Sequence, residues 1–152
     1  MKLTLRTIAT GLTTLVIVNA FAQQVTVSDP WARATVPGQK ATGAFMKITA
    51  KQPSKLVAVS SPAAGVTELH EMKMDKDVMR MSAVRALELP EGKAVELKPG
   101  GYHVMLMDLK APLADKSTIA ITLTVEDAKG QKSQLDVQVP VRAMTPSRTH
   151  QH

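Results

Sequence analysis

Thr118-Ile119-Ala120-Ile121-Thr122-Leu123-Thr124-Val125, then Glu126-Asp127-Ala128-Lys129-Gly130, then Leu135-Asp136-Val137-Gln138-Val139-Pro140-Val141, decide the fold of this 152-residue chain. Ile119, Ile121, Leu123 and Val125 alternate with Thr and Ala, and Leu135, Val137, Val139 and Val141 repeat the alternation beyond the turn. Successive side chains of an extended chain leave opposite faces, so a period of two gives each strand one apolar face. Two such runs around a Gly-containing turn read as an antiparallel hairpin.

Working outward, further short strands are expected over 25–28, 44–49, 56–60, 66–72, 78–84, 95–97 and 102–109. Pro53, Pro62, Pro90, Pro99 and Gly100-Gly101 punctuate them, and no segment carries a helical apolar stripe. The turn Pro99-Gly100-Gly101 delivers His103 into its strand. Many short strands in one chain of this length predict an all-β, single-domain β-sandwich spanning 23–141. Trp31, the single tryptophan, is expected in the core or packed on a sheet. At the N-terminus, Lys2 and Arg6 precede an apolar run from Gly11 to Asn19, and Ala20-Phe21-Ala22 follows. That order is the pattern of a cleaved export signal over 1–22, too short for a membrane anchor of roughly 20 apolar residues. An exported, soluble mature chain with no membrane insertion is therefore expected, ending in an aperiodic tail, 142–152.

The chain has no cysteine. The absence excludes a thiol nucleophile, a thiolate zinc site and the His-Cys-Met set of blue-copper electron carriers. With Lys2 and Arg6 set aside, 19 basic and 13 acidic residues become a net charge near +4. The basic residues are dispersed and aromatics are scarce, which argues against nucleic acid as a partner. No Gly-x-Ser-x-Gly, His-Glu-x-x-His or phosphate-loop motif is present, so no enzyme activity is expected.

Methionine is over-represented although aromatics are scarce: of nine, Met72, Met74, Met79 and Met81 fall close together, and Met105 and Met107 form a second group. Beside them stand His70 and His103, the two histidines within the strand region. His70 and Met72, like His103 and Met105, are two apart, so each pair leaves one face of its strand. Pairing about Asp75-Lys76 would set His70 opposite Met81 and Met72 opposite Met79. Thioether sulfur is a soft donor and imidazole a borderline one, a combination that suits Cu(I). Calcium and magnesium demand oxygen, and zinc favours His, Cys and carboxylate. Methionine also fills gaps in cores, so spacing alone leaves open a plain β-sandwich interaction module with a Met-rich core. Glu71 and Asp108 flank these positions, with two readings open: groups that orient an imidazole, or solvated surface charges.

The array of His70, ten residues, Met81, twenty-one residues, His103, one residue and Met105 resembles the signature of the periplasmic copper chaperones called PCuAC. The flanks match as well: Asp29-Pro30-Trp31-Ala32-Arg33, Gly43-Ala44-Phe45-Met46, Glu68-Leu69-His70-Glu71-Met72 and Pro99-Gly100-Gly101-Tyr102-His103-Val104-Met105. The resemblance implies a cupredoxin-like β-sandwich binding Cu(I) through His70, Met81, His103 and Met105, with Met72 as an additional ligand. It implies a monomer in the periplasm that delivers copper to cytochrome c oxidase subunit II, at the copper A centre, or to another copper chaperone. Met144, His150 and His152 resemble the Met/His-rich extensions of some members and suggest a second copper, Cu(II), on the tail. Copper buffering or resistance without delivery is the alternative within the same chemistry.

Overall fold

The computed structural model describes residues 24–144. Among these there is no helix, hence none long and apolar enough to cross a membrane. The ten strands are β1 (Val25–Arg33), β2 (Ala41–Ala50), β3 (Ser54–Ser60), β4 (Ala64–Asp75), β5 (Val78–Ala83), β6 (Leu87–Leu89), β7 (Ala94–Leu97), β8 (Tyr102–Leu109), β9 (Thr118–Asp127) and β10 (Lys132–Arg142). One layer runs β5-β4-β8-β2-β1 and the other β10-β9-β3-β6. A short parallel seam, Ala32 with Val141 and Arg33 with Arg142, joins them. Along β2, Ala41–Ala44 pair with β8 and Met46–Thr49 with β7.

The β9–β10 hairpin forms as its alternation requires, from Lys132 opposite Glu126 to Pro140 opposite Thr118. Its inward residues, Ile121, Leu123, Val137, Val139 and Val141, meet Ala44, Met46, Ile48, Val104 and Leu106 of the other layer. Removing each such aliphatic side chain from water is worth about 1.5–3 kcal/mol, which holds a disulfide-free domain together. This two-layer, all-β packing is the predicted cupredoxin-like sandwich.

Two local features position the outer face of the first layer. In β1 the pairing with β2 shifts between Ser28 and Trp31, where Asp29 has a φ of 50°. An extra residue in one strand reverses which side chains point inward beyond it. Ala32 is thus buried, while Trp31 and Arg33 stand on the outer face. Trp31 packs on the sheet, its ring 4.6 Å from that of Phe45. In the β4–β5 hairpin the two turn residues are Lys76 and Asp77, both left-handed at φ 49° and 65°. That is the primed two-residue turn that matches strand twist. The turn therefore lies one residue later than Asp75-Lys76, and the register differs from the expected one by two. Met72 faces Met81, Met74 faces Met79, and His70 faces Ala83. A shift of two leaves every side chain on its expected face.

Candidate metal site

His70 and His103 are direct cross-strand partners on β4 and β8, with ring centroids 6.0 Å apart. Met105 follows on the same face of β8, opposite Glu68 of β4 and Gly43 of β2. Met72 lies two residues beyond His70, and Met81 of β5 is its partner. Met81 thus reaches His70 diagonally, a spacing that long side chains span. A shallow cavity of about 220 Å³ is lined by Met72, Met81, His103 and Met105, with Arg33 and Phe45 on its flank. Four expected ligands and the additional Met72 therefore share one face of three adjacent strands.

The two imidazoles are held in defined tautomers. His103 Nδ1 lies 3.1 Å from the Gly101 carbonyl oxygen, and His70 Nε2 lies 2.8 Å from Glu68 Oε2. Carbonyl and carboxylate oxygens only accept, so each ring nitrogen donates its hydrogen. The remaining lone pairs are His103 Nε2 and His70 Nδ1, and the latter is buried without a hydrogen-bond partner. A ring fixed through one nitrogen and bare at the other is the arrangement found around protein-bound metals. His103 is 5% exposed and Met81 46%, so the cluster has a buried and an open side.

Phe45 backs His103 at 6.3 Å between ring centroids, and the Arg33 guanidinium carbon lies 5.7 Å from the Phe45 centroid. Gly43 makes this possible: a Cβ there would stand 2.9 Å from Phe45 Cζ. Among the described residues no three His, Asp or Glu converge. The donor set is two imidazoles and thioethers, which fits a soft ion and leaves a hard one without oxygen ligands.

Glu68 escaped the sequence reading, although its position two residues before His70 carries the same face signal as Met72. Glu71 is out of phase with the histidines and leaves the opposite face, whereas Asp108, at a φ of 52°, breaks the alternation of β8 just before the buried Leu109. Glu71 lies beside Tyr102, and burial first, then the Glu71 charge and hydrogen bond, raise the phenol above its ordinary pKa. The Asp108 carboxylate sits over Gly65. Met144 is exposed just after β10, while His150, His152 and the expected export signal over 1–22 lie outside the described residues. A larger cleft of about 790 Å³ near Gln24, Gln52 and Asp127 contains neither histidine nor methionine.

Fold and cluster together define a class: a cupredoxin-like sandwich with an imidazole–thioether cluster on one sheet. The family described as "Putative lipoprotein LpqE-like" matches residues 25–141. The chain belongs to that family and is a domain of the PCuAC type. The Leifsonia xyli subsp. xyli protein described as "Putative lipoprotein Lxx21020" is 34% identical over 122 residues, 80% of this chain and 71% of that one. The Cu(I)-bound solution structure of DR1885 from Deinococcus radiodurans has 34% identity and a TM-score of 0.58, covering 82% of this chain and 83% of that one. The apo PCuAC domain from PmoF1 has 26% identity and a TM-score of 0.65, covering 81% of this chain and 97% of that domain.

Proposed function

We propose that this protein is an exported copper chaperone. It holds one Cu(I) through His70 Nδ1, His103 Nε2 and the sulfurs of Met81 and Met105, with Met72 able to substitute. The supporting observation is the pair of facing imidazoles, each hydrogen-bonded through one nitrogen and bare at the other, with His103 lining one cavity together with Met72, Met81 and Met105. Every donor is neutral, so the bound ion keeps its positive charge, with the Glu68 carboxylate behind His70 as the nearest compensation. Such ligands exchange one at a time. Met81, half exposed, is the donor an acceptor displaces first, which favours transfer over storage. The protein is a carrier rather than a catalyst. The acceptor we assign is the copper A centre of cytochrome c oxidase, on subunit II or through an intermediate copper chaperone. The leader-like segment 1–22 supports a periplasmic location, and the tail residues Met144, His150 and His152 would take a second copper as Cu(II).

A Cu(I) competition titration against a coloured chelator tests the site. One tight equivalent is expected in the parent, greatly weakened in His103→Ala/Met105→Ala with the fold intact. Equal binding by both would overturn the ligand assignment. Transfer to the isolated copper A domain, measured by its absorbance, separates delivery from buffering.

A further inference from the structure

The β4–β5 hairpin carries more thioethers than the inner site uses. Met74 and Met79 are direct cross-strand partners next to the turn, 60% and 48% exposed. They stand on the same face as the next pair inward, Met72 and Met81, which lines the cavity of His103 and Met105. Burial does not explain two methionines at the open end of an edge hairpin. Strand propensity does not either, since β-branched and aromatic residues serve exposed strands better. The hairpin's other face carries Lys73, Asp75, Arg80 and Ser82 with one apolar residue, the β-branched Val78 opposite Asp75, and Arg80 Nε lies 3.1 Å from the Asp75 carboxylate. Only one face is thioether-bearing, and it runs unbroken into the cavity.

Facing side chains of an antiparallel pair lie within about 5.5 Å, so the flexible Met74 and Met79 can bring both sulfurs to one ion. We propose that Met74 and Met79 form a second, weaker Cu(I) site through which the inner site is filled. The inference rests on the inner His/Met site proposed above. Two thioethers without imidazole bind a soft monovalent ion less tightly than the inner set. The ion moves inward by exchanging Met74 and Met79 for Met72 and Met81, then for the imidazoles. No electron or proton is transferred, because each ligand is neutral and the metal stays Cu(I).

The test is an anaerobic Cu(I) titration of the full exported protein, isotope-labelled at the methionine methyl groups and histidine rings and followed by NMR. Met74→Leu/Met79→Leu serves as the comparison, since leucine keeps the apolar bulk and removes the sulfur. The first equivalent is expected to shift His103 and Met105, and the second to shift Met74 and Met79. The variant should keep the first step, lose the second, and load several-fold more slowly from a Cu(I) chelate. Unmoved Met74 and Met79 signals, a second equivalent seen only at Met144, or wild-type loading by the variant would each overturn the proposal. Failure of the inner-site reading registers separately, as a His103 ring that does not respond to the first equivalent.

Discussion

Glu68 and Glu71 lie three apart on one strand and face opposite ways, which makes them a controlled pair. Glu68 accepts the hydrogen of His70 Nε2 and so leaves Nδ1 bare for a metal. Loss of such an orienting acceptor typically weakens metal binding about 10–100-fold. Glu68→Ala should therefore lower Cu(I) affinity by about tenfold in a competition titration. Glu71→Gln should leave the affinity at the parent value, and equal effects from the two would remove the orienting role. Glu71 instead acts on Tyr102, the single tyrosine, so the absorbance of the phenolate reads one group. Burial and the Glu71 carboxylate hold that phenol above its ordinary value near 10. Tyr102 thus contributes stability that is fully present below about pH 10 and lost as pH rises through its raised folded midpoint. Glu71→Gln should lower that midpoint toward 10, leaving the part due to burial. An unchanged midpoint would mean that burial alone sets it.

Strand alternation was the most legible signal because a period of two survives any uncertainty in register. Both His/Met pairs therefore stand on the faces their spacing predicts, and the β9–β10 hairpin is readable from Ile119 to Val141. The register of β4 and β5 is not, because it depends on which two residues adopt left-handed φ. Lys76-Asp77 lacks the glycine or asparagine that usually marks such a turn. Leu87–Leu89 is too short to show a period, and β1 continues past Pro30 because the bulge beside it tolerates a missing N–H. The turn supports a prediction at this level. Asp77 carries a φ of 65° that glycine adopts without a Cβ penalty. Asp77→Gly should raise the free energy of unfolding by about 0.5 kcal/mol in a denaturant titration, with the hairpin register unchanged. A clear loss of stability would argue that Asp77 earns its place through its carboxylate.

Across the whole molecule, the proposed ligands belong to β4, β5 and β8, adjacent strands of one layer, whereas the second layer contributes only to the core. An ion held by these proposed ligands would tie an edge hairpin, whose β5 residues are all exposed, to the interior strand β8. Ligand loss should remove this clip without dismantling the sandwich, because Ile48, Leu106, Leu123 and Val139 pack independently of it. An ion bound by the folded state alone stabilises it by about 2.7 kcal/mol at a hundredfold excess over Kd. For a domain of this size that corresponds to a rise in Tm of roughly 10 °C. Cu(I) should produce such a rise in the parent and almost none in His103→Ala/Met105→Ala. The apo variant should still melt cooperatively, at a Tm somewhat below the parent because His103 is buried against Phe45. Calorimetry of both proteins with and without Cu(I) measures all four states. A Cu(I)-dependent rise that persisted in the variant would place the stabilising ion elsewhere on the chain. Hydrogen exchange gives the same argument spatial detail: protection on metal binding should be gained in β5, the strand that only β4 holds, and scarcely change in β9 and β10.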